Sequence, residues 1–314
     1  MKHAPSSPGQ PPLLTPAVRG LLLVLAGAAV ISAAPLFVKI VNAGPAMIAC
    51  YRMIWGSLAL LCIARCRSER ILPGRDMGIV ILWAALFFSL DLLSWHQSIL
   101  YVGPGLATIL TNFQIFFLAA YGTFFLREKM SLRLKLAIPL VFVGLWLVLD
   151  VRIGDITLDI CFGLVTGLLS ALFYAGFILS LRRSRSGGNL LSPTANMGMI
   201  SLFAVFFTGL GGIAGGEDLV IHGLRDNLLM VCSGVGVQAL GWVLLSKGLP
   251  LLPAAQGGLL LMLQPALSFA WDVLLFDRPT SAWGYAGAAI SLAAIAMCVW
   301  DASTVRRRKE PDTP

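Results

Sequence analysis

Residues 89–99 read SLDLLSWHQSI and set Asp91, His96 and Gln97 inside a stretch, Met77 to Tyr101, that otherwise has the length and apolarity of a membrane-crossing helix. Whether it is such a helix decides the fold, because these side chains are ordinary in a soluble helix and costly in lipid. The surrounding chain answers the question. It is 58% hydrophobic and 12% charged, with a mean hydropathy of +0.85, far from the composition of a soluble protein. Apolar runs of about 20 residues, enough to cross the bilayer core at the helical rise, recur along the whole length.

The runs predict an all-α polytopic membrane protein with about ten transmembrane helices. The expected spans are 18–40, 45–64, 77–101, 103–126, 132–150, 158–181, 194–214, 226–247, 253–276 and 281–300. Residues 1–17, MKHAPSSPGQPPLLTPA, are rich in proline and polar residues and precede a full-length span, so they read as a disordered cytoplasmic tail and not as a cleaved signal. Residues 301–314 read as a basic cytoplasmic tail.

A formal net charge of +8 raises the question of nucleic acid, and the positions of the basic residues resolve it. With the N-terminus inside, the cytoplasmic segments hold Lys2, Arg19, the cluster from Arg65 to Arg75, the cluster from Arg127 to Lys135, Arg182, Arg183, Arg185, Lys247 and the cluster from Arg306 to Lys309. The outer loops hold only Lys39, Arg152, Arg225 and Arg278, and Arg52 lies within the second span. This positive-inside pattern accounts for the basic balance without nucleic acid, and it places both termini in the cytoplasm of a bacterial inner-membrane protein. Asp150, Asp155, Asp159, Glu217, Asp218 and Asp226 fall in two outer loops.

The six cysteines form no CxxC pair, and there is no phosphate-binding loop, HExxH or GxSxG sequence. With three histidines in the chain, neither a metal nor another cofactor is expected. Nothing in the sequence signals an oligomeric state.

Shifting the chain by 150 lays residues 126–149, LREKMSLRLKLAIPLVFVGLWLVL, on 276–299, FDRPTSAWGYAGAAISLAAIAMCV. Leu90, Leu110, Gln114, Ala120 and Ser131 then meet identical Leu240, Leu260, Gln264, Ala270 and Ser281. Each half, 18–150 and 151–300, carries five spans, so the second enters the membrane from the opposite side: two inverted five-helix repeats are expected.

The stretches ACYRMIWGSLAL (49–60), DLLSWHQSILYVGPGLATILTNFQ (91–114) and FFLREKMSLRLKLAIPLVFVGLWLV (124–148) resemble the EamA-type ten-helix permeases of the drug/metabolite transporter superfamily. The resemblance covers about residues 18 to 300. Two departures stand out. Ile115 occupies a position where members often have proline, which Pro265 supplies in the second half only, and the shift puts Arg278 opposite Glu128. What the resemblance implies is transport of a small polar or amphipathic metabolite, with export as the family-level expectation.

Depth in the bilayer selects the site residues. Asp91 falls about 15 Å below the outer end of its span and Arg52 about 10 Å below the start of its own. Unpaired charges at such depths are unfavourable by at least about 2.5 kcal/mol, so both should face protein or water, as functional groups or as a structural ion pair. His96 is a protonatable ring near Asp91 or an interfacial residue, and Trp95 is an aromatic wall or part of the interfacial belt. Asn112 and Gln114 on span four, Gln238 and Trp242 on span eight and Gln264 on span nine complete the expected substrate site, with interhelical hydrogen bonding as the alternative for the amides. Gln114 and Gln264 gain weight as repeat equivalents. Gly163 and Gly167 form a GxxxG pair suited to close packing, and Glu128 reads as a structural charge at a cytoplasmic loop.

The resulting expectation is a secondary-active metabolite transporter working by alternating access, with proton coupling through Asp91 left open. The alternatives are an intramembrane enzyme using Asp91 and His96, a facilitative exchanger or uptake permease, and a non-transporting scaffold. Loops of about a dozen residues leave little room for an enzyme's constellation, and a scaffold has no need of buried charge.

Overall fold

The computed structural model describes residues 15–128, 130–149, 158–185, 191–276 and 281–307. Most of the 1–17 tail, the end of the basic tail, and Asp150, Arg152, Asp155, Asp277 and Arg278 lie outside the described residues. The described chain is helical: α1 (Pro16–Ile31), α2 (Ala34–Ile40), α3 (Pro45–Cys66), α4 (Arg75–Asn112), α5 (Gln114–Phe124), α6 (Leu132–Leu149), α7 (Leu158–Ser184), α8 (Pro193–Ala214), α9 (Leu224–Cys232), a π-helix (Ser233–Gly241), α10 (Trp242–Gly248), a 3₁₀ turn (Leu249–Leu251), α11 (Ala254–Leu261), α12 (Leu263–Phe276) and α13 (Ala282–Arg307). Among the described residues, seven segments are long and apolar enough to cross a bilayer: Pro16–Ile40, Pro45–Cys66, Arg75–Val102, Leu158–Ser184, Pro193–Ala214, Leu224–Leu251 and Ala254–Leu275. Ala282–Met297 is a shorter apolar helix. Large apolar side chains such as Leu202, Phe206 and Leu210 on α8 face outward, as a lipid-facing surface requires.

Thr15 accepts a hydrogen bond from the Val18 amide and Pro16 opens the first turn, so α1 begins two residues before the expected span. The first span is interrupted at Ser32–Ala33, just ahead of Pro35. A second helix takes up the groups that this break frees. The Ser268 hydroxyl donates to the Ser32 carbonyl at 2.9 Å and the Trp271 indole donates to the Ser32 hydroxyl at 2.9 Å.

Helical turns follow one another from Arg75 to Asn112, where two spans were expected, but not along one axis. Side-chain contacts nonetheless show that the chain doubles back. Ser170 of α7 hydrogen-bonds both Asp91, at 2.7 Å, and Thr111, at 2.8 Å, and these residues would lie about 30 Å apart along a straight helix. Ser98 and Leu110 likewise both press on Gly167. The reversal therefore falls between Ser98 and Leu110, around Gly103-Pro104-Gly105.

Helices α3 and α8 pack antiparallel and hold each other at both ends in the same way. Glu69, three residues beyond α3, accepts a hydrogen bond from Ser192, the N-cap of α8. Glu217, three residues beyond α8, accepts from the Ala46 amide at 3.1 Å and the Met47 amide at 2.9 Å in the first turn of α3. A carboxylate on the free N–H groups of a helix start is favourable in both charge and hydrogen bonding. Helix starts Pro45 and Pro193, helix ends Cys66 and Ala214, and the two glutamates are each offset by 148 residues. Glu69 and Glu217 also make matching backbone turns, to the Ala64 and Gly212 carbonyls.

Two further interruptions match. Helix α4 ends at Asn112 and α5 restarts at Gln114, while α11 ends at Leu261 and α12 restarts at Leu263, so Gln114 and Gln264 stand at the starts of broken helices. The core between these elements is aromatic at its centre: Trp242 packs on Phe88, Phe177 and Tyr174, with ring centroids 5.1, 4.9 and 6.3 Å away.

Candidate functional site

Three helical stripes line a small cavity of about 40 Å³ that opens to the outside. Ala34, Pro35 and Val38 come from α2, Pro45, Ile48, Ala49 and Arg52 from α3, and Leu92, Trp95 and His96 from α4. The spacings of three, four and seven residues on α3 and of three and four on α4 put each stripe on one helix face. The cavity sits at the end of the bundle where Glu217 meets the start of α3 and Asp226 accepts from the Asn42 amide at 3.1 Å.

The walls are apolar except for Arg52 and His96. Arg52 makes no hydrogen bond or ion pair among the described residues, and its buried Nε has no partner. His96 is 8% exposed and its Nδ1 has no partner among the described residues, so the ring is buried within the protein. Its ring stacks obliquely on Trp95, with centroids 5.2 Å apart. Trp95 lines the cavity and so is a wall, not only a belt residue.

The ion pair anticipated between Arg52 and Asp91 does not form. Asp91 feels the Arg52 charge without a contact inside 4.0 Å, and its hydrogen-bond donor is instead Ser170 of α7. The physical reason is the packing of α4: Asp91 points to the α7 side, while Leu92, Trp95 and His96 point to α2 and α3. Asp91 and His96 therefore belong to different faces, and no hydrogen bond joins them.

The other expected site residues occupy three settings. Trp242 is 3% exposed within the aromatic cluster, beside Tyr174, whose hydroxyl lies in reach of both Asp91 and Gln264. Gln238 lies in the π-helix, where its amide donates to Ser201 of α8 at 2.9 Å, leaving its carbonyl oxygen without a donor. Helical π segments recur at functional sites. Gln114 and Gln264 each keep one buried atom without a partner, Oε1 and Nε2, and Asn112 is buried beside the α4–α5 break. Buried polar atoms are nearly always satisfied; those without a partner among the described residues are on Arg52, His96, Gln114, Gln238 and Gln264 and also on Trp55, Asn196, Ser233, Ser246 and Ser291, and of these only Arg52 and His96 line the cavity.

Sequence reasoning did not single out Ser170 or Tyr174, which the structure places against Asp91 one turn apart on α7. Their only sequence signal is polarity at that spacing in the apolar run 158–184. Glu128, expected to be structural, accepts from the Ala254 amide at the start of α11 at 2.8 Å and stands 3.8 Å from Arg182. Arg182 donates to the Leu249 and Leu252 carbonyls at 2.8 and 2.6 Å, so this cluster ties the α5–α6 loop to the second half of the chain.

Residues 18–150 match the profile of the EamA-like transporter family. Protein RarD of Streptomyces exfoliatus is 26% identical over 286 residues, spanning 87% of this chain and 86% of that protein. A solved crystal structure aligns with a TM-score of 0.77 at 14% identity, covering 93% of this chain and 99% of that one, a likeness of fold alone. The family matched is described as one of transporters. The chain is thus a multi-pass, all-α membrane protein whose similarity to EamA-type permeases, carried by the motifs of its first half, is found again in the family profile over residues 18–150.

Proposed function

We propose that the chain is a secondary-active exporter of a small polar or amphipathic metabolite in a bacterial cytoplasmic membrane. It works by alternating access of two inverted five-helix repeats, 18–150 and 151–300, with ten crossings and both termini cytoplasmic. The observation that carries this reading is the set of polar atoms without partners among the described residues of a helical bundle, above all on Arg52 and His96, which line one cavity.

The reciprocal glutamates suit the mechanism. In an inverted repeat, one arrangement recurs upside down at the two ends, so loosening Glu217 from the α3 start opens the outer end while Glu69 and Ser192 hold the inner end closed. Gln114, Asn112, Gln264, Gln238 and Trp242 line the path of a cargo moving inward or outward from the cavity. Proton coupling falls to Asp91, which is buried and engaged by one hydroxyl, so that gaining a proton neutralises it without breaking an ion pair.

Counterflow in proteoliposomes against a metabolite library tests the function without assuming direction or driving force. A saturable exchange signal is expected, and silence for every small organic solute, from folded protein, overturns the proposal. Cysteine labelling tests orientation: in a background without native cysteines, impermeant reagent on intact cells should reach Asp155→Cys and not Ser186→Cys, and the reverse result sinks the topology. Asp91→Asn should fold, lose proton-driven accumulation and retain exchange. Unchanged accumulation removes Asp91 from the coupling.

A further inference from the structure

The cavity between α2, α3 and α4 is chemically one-sided. Its two polar lining residues, Arg52 and His96, are a cation and an imidazole, and no acidic residue lines it. The carboxylates that could have balanced Arg52 are held elsewhere. Asp91 accepts from Ser170 on the α7 side, Glu217 closes the start of α3, and Asp226 holds the Asn42 amide. A guanidinium stays charged at any pH the protein meets, and the half-buried Arg52 has neither an ion pair nor a hydrogen bond among the described residues. An anionic ligand would supply that contact.

We propose that the cavity binds the carboxylate end of an organic acid with an apolar body, Arg52 donating to the carboxylate and His96 completing its coordination. This rests on the transporter reading and narrows its cargo: the acid supplies the negative charge that the fold withholds, while an ammonium group finds no counterpart in the cavity. A guanidinium presents parallel N–H groups in the fork that a carboxylate accepts, and Arg52 brings one to the wall. The His96 ring, in the same wall, brings an imidazole. Ala34, Pro35, Val38, Ile48, Ala49, Leu92 and the Trp95 ring surround the carbon skeleton with apolar surface. An acid-bearing apolar molecule thus satisfies both kinds of wall at once, which a sugar or a free amine does not.

Trp95 in the wall makes binding visible as a change in tryptophan fluorescence. The probes are 3-phenylpropionate, its amide and 3-phenylpropylamine, added to protein in phosphatidylcholine nanodiscs. The acid should bind at least about tenfold more tightly than the amide, the margin of one charge-assisted contact, and the amine should not compete. Arg52→Gln should bring the acid down to the affinity of the amide, and Arg52→Lys should restore part of the difference. Where Arg52→Gln does not fold, Ala49→Leu fills the cavity from its apolar wall and should abolish acid binding with the charge intact. Equal affinity for acid and amide, preference for the amine, or full binding in the Ala49→Leu variant overturns the proposal. A phospholipid headgroup offers the same anionic chemistry. If phosphatidylglycerol in place of phosphatidylcholine displaces the acid, the site belongs to lipid and the proposal falls. Counterflow separates this inference from the function beneath it: exchange of amines or zwitterions without acids defeats the acid cargo and leaves transport standing, whereas acid binding without exchange defeats transport and leaves the site.

Discussion

The acids and the bases of the bundle are treated differently. Asp91, Glu69, Glu128, Glu217 and Asp226 each accept a hydrogen bond from a hydroxyl or a backbone amide of a neighbouring helix or loop. Arg52 and His96, in the same membrane-embedded region as Asp91, retain buried nitrogens without partners. Depth made Asp91 the foremost candidate, yet its carboxylate helps fasten α4 to α7, while the open chemistry lies on the neighbouring stripe of the same helix, Leu92, Trp95 and His96. Burial alone therefore does not identify a ligand site in such a bundle. Unfilled hydrogen-bonding capacity does so more sharply.

Breaking the comparison at its open side should have the largest effect. Arg52→Gln should lower counterflow by about tenfold or more, equivalent to about 1.5–3 kcal/mol of lost charge-assisted bonding, while the thermal transition stays near that of the parent. A variant that transports normally would place Arg52 with the structural residues.

Interfering with the packing around Ser170 should be nearly as severe for the fold. A Cβ at Gly167 would approach Leu110 Cδ1 to 2.6 Å and Ser98 Oγ to 2.8 Å, against both arms of the chain reversal. Gly167→Val should destabilise by about 1–3 kcal/mol through overpacking, measured as a fall in melting temperature in detergent. An unchanged melt would mean that α4 and α7 are not held as closely as Asp91 and Ser170 imply.

On the acid side, Glu217→Ala removes the acceptor from two amides at the start of α3 and should reduce stability by about 1–2 kcal/mol. If loosening this contact opens the outer end, as proposed, it should also raise labelling of a cysteine at Ala49 by an impermeant reagent. Stability loss without increased labelling leaves Glu217 as a cap and removes it from gating.

A smaller effect tests the division itself. If Asp91 and Arg52 are not partners, the stability changes of Asp91→Asn and Arg52→Gln should add within about 0.5 kcal/mol in the double variant, whereas partial rescue would restore the ion pair.

The smallest effect concerns an exposed acid. The Val220 amide, then the His222 ring, hold the Asp218 carboxylate below the usual range. Its contribution to the Gly215–Gly223 loop is present above the ordinary aspartate pKa and lost as pH falls through the depressed folded value. Hydrogen exchange at the Val220 amide should therefore report protection, beyond the intrinsic rate, that is lost on acidification, and Asp218→Asn should show no such dependence.

Much of the fold was legible beforehand because membrane insertion imposes strong, local rules. Span length, basic loops and the GxxxG pair at Gly163 and Gly167 each follow from residues close in sequence, and both glycines pack closely, on Val102 and on Leu110. The Gly103-Pro104-Gly105 reversal could be anticipated, although helical geometry continues through it. The correspondence between α3 and α8 was readable only in part. A uniform shift of 150 pairs Gln114 with Gln264 but leaves Glu69 opposite Leu219, and the offset of 148 that aligns Glu69 with Glu217 emerges from the α3–α8 contact. Loops of unequal length between the spans move the offset, and one uniform shift cannot follow them.

The sequence by itself determined an all-helical membrane chain, the polar residues within its spans and the likeness to EamA-type permeases, since each depends on composition or on short-range order. Only the tertiary structure decided which of those polar residues meet. Asp91 turns to Ser170, Gln238 to Ser201, and Arg52, Trp95 and His96 to a common cavity. That outcome depends on the rotation of each helix about its own axis. At 100° per residue, a side chain's direction is fixed by packing against distant helices, which no local pattern in an almost uniformly apolar span records.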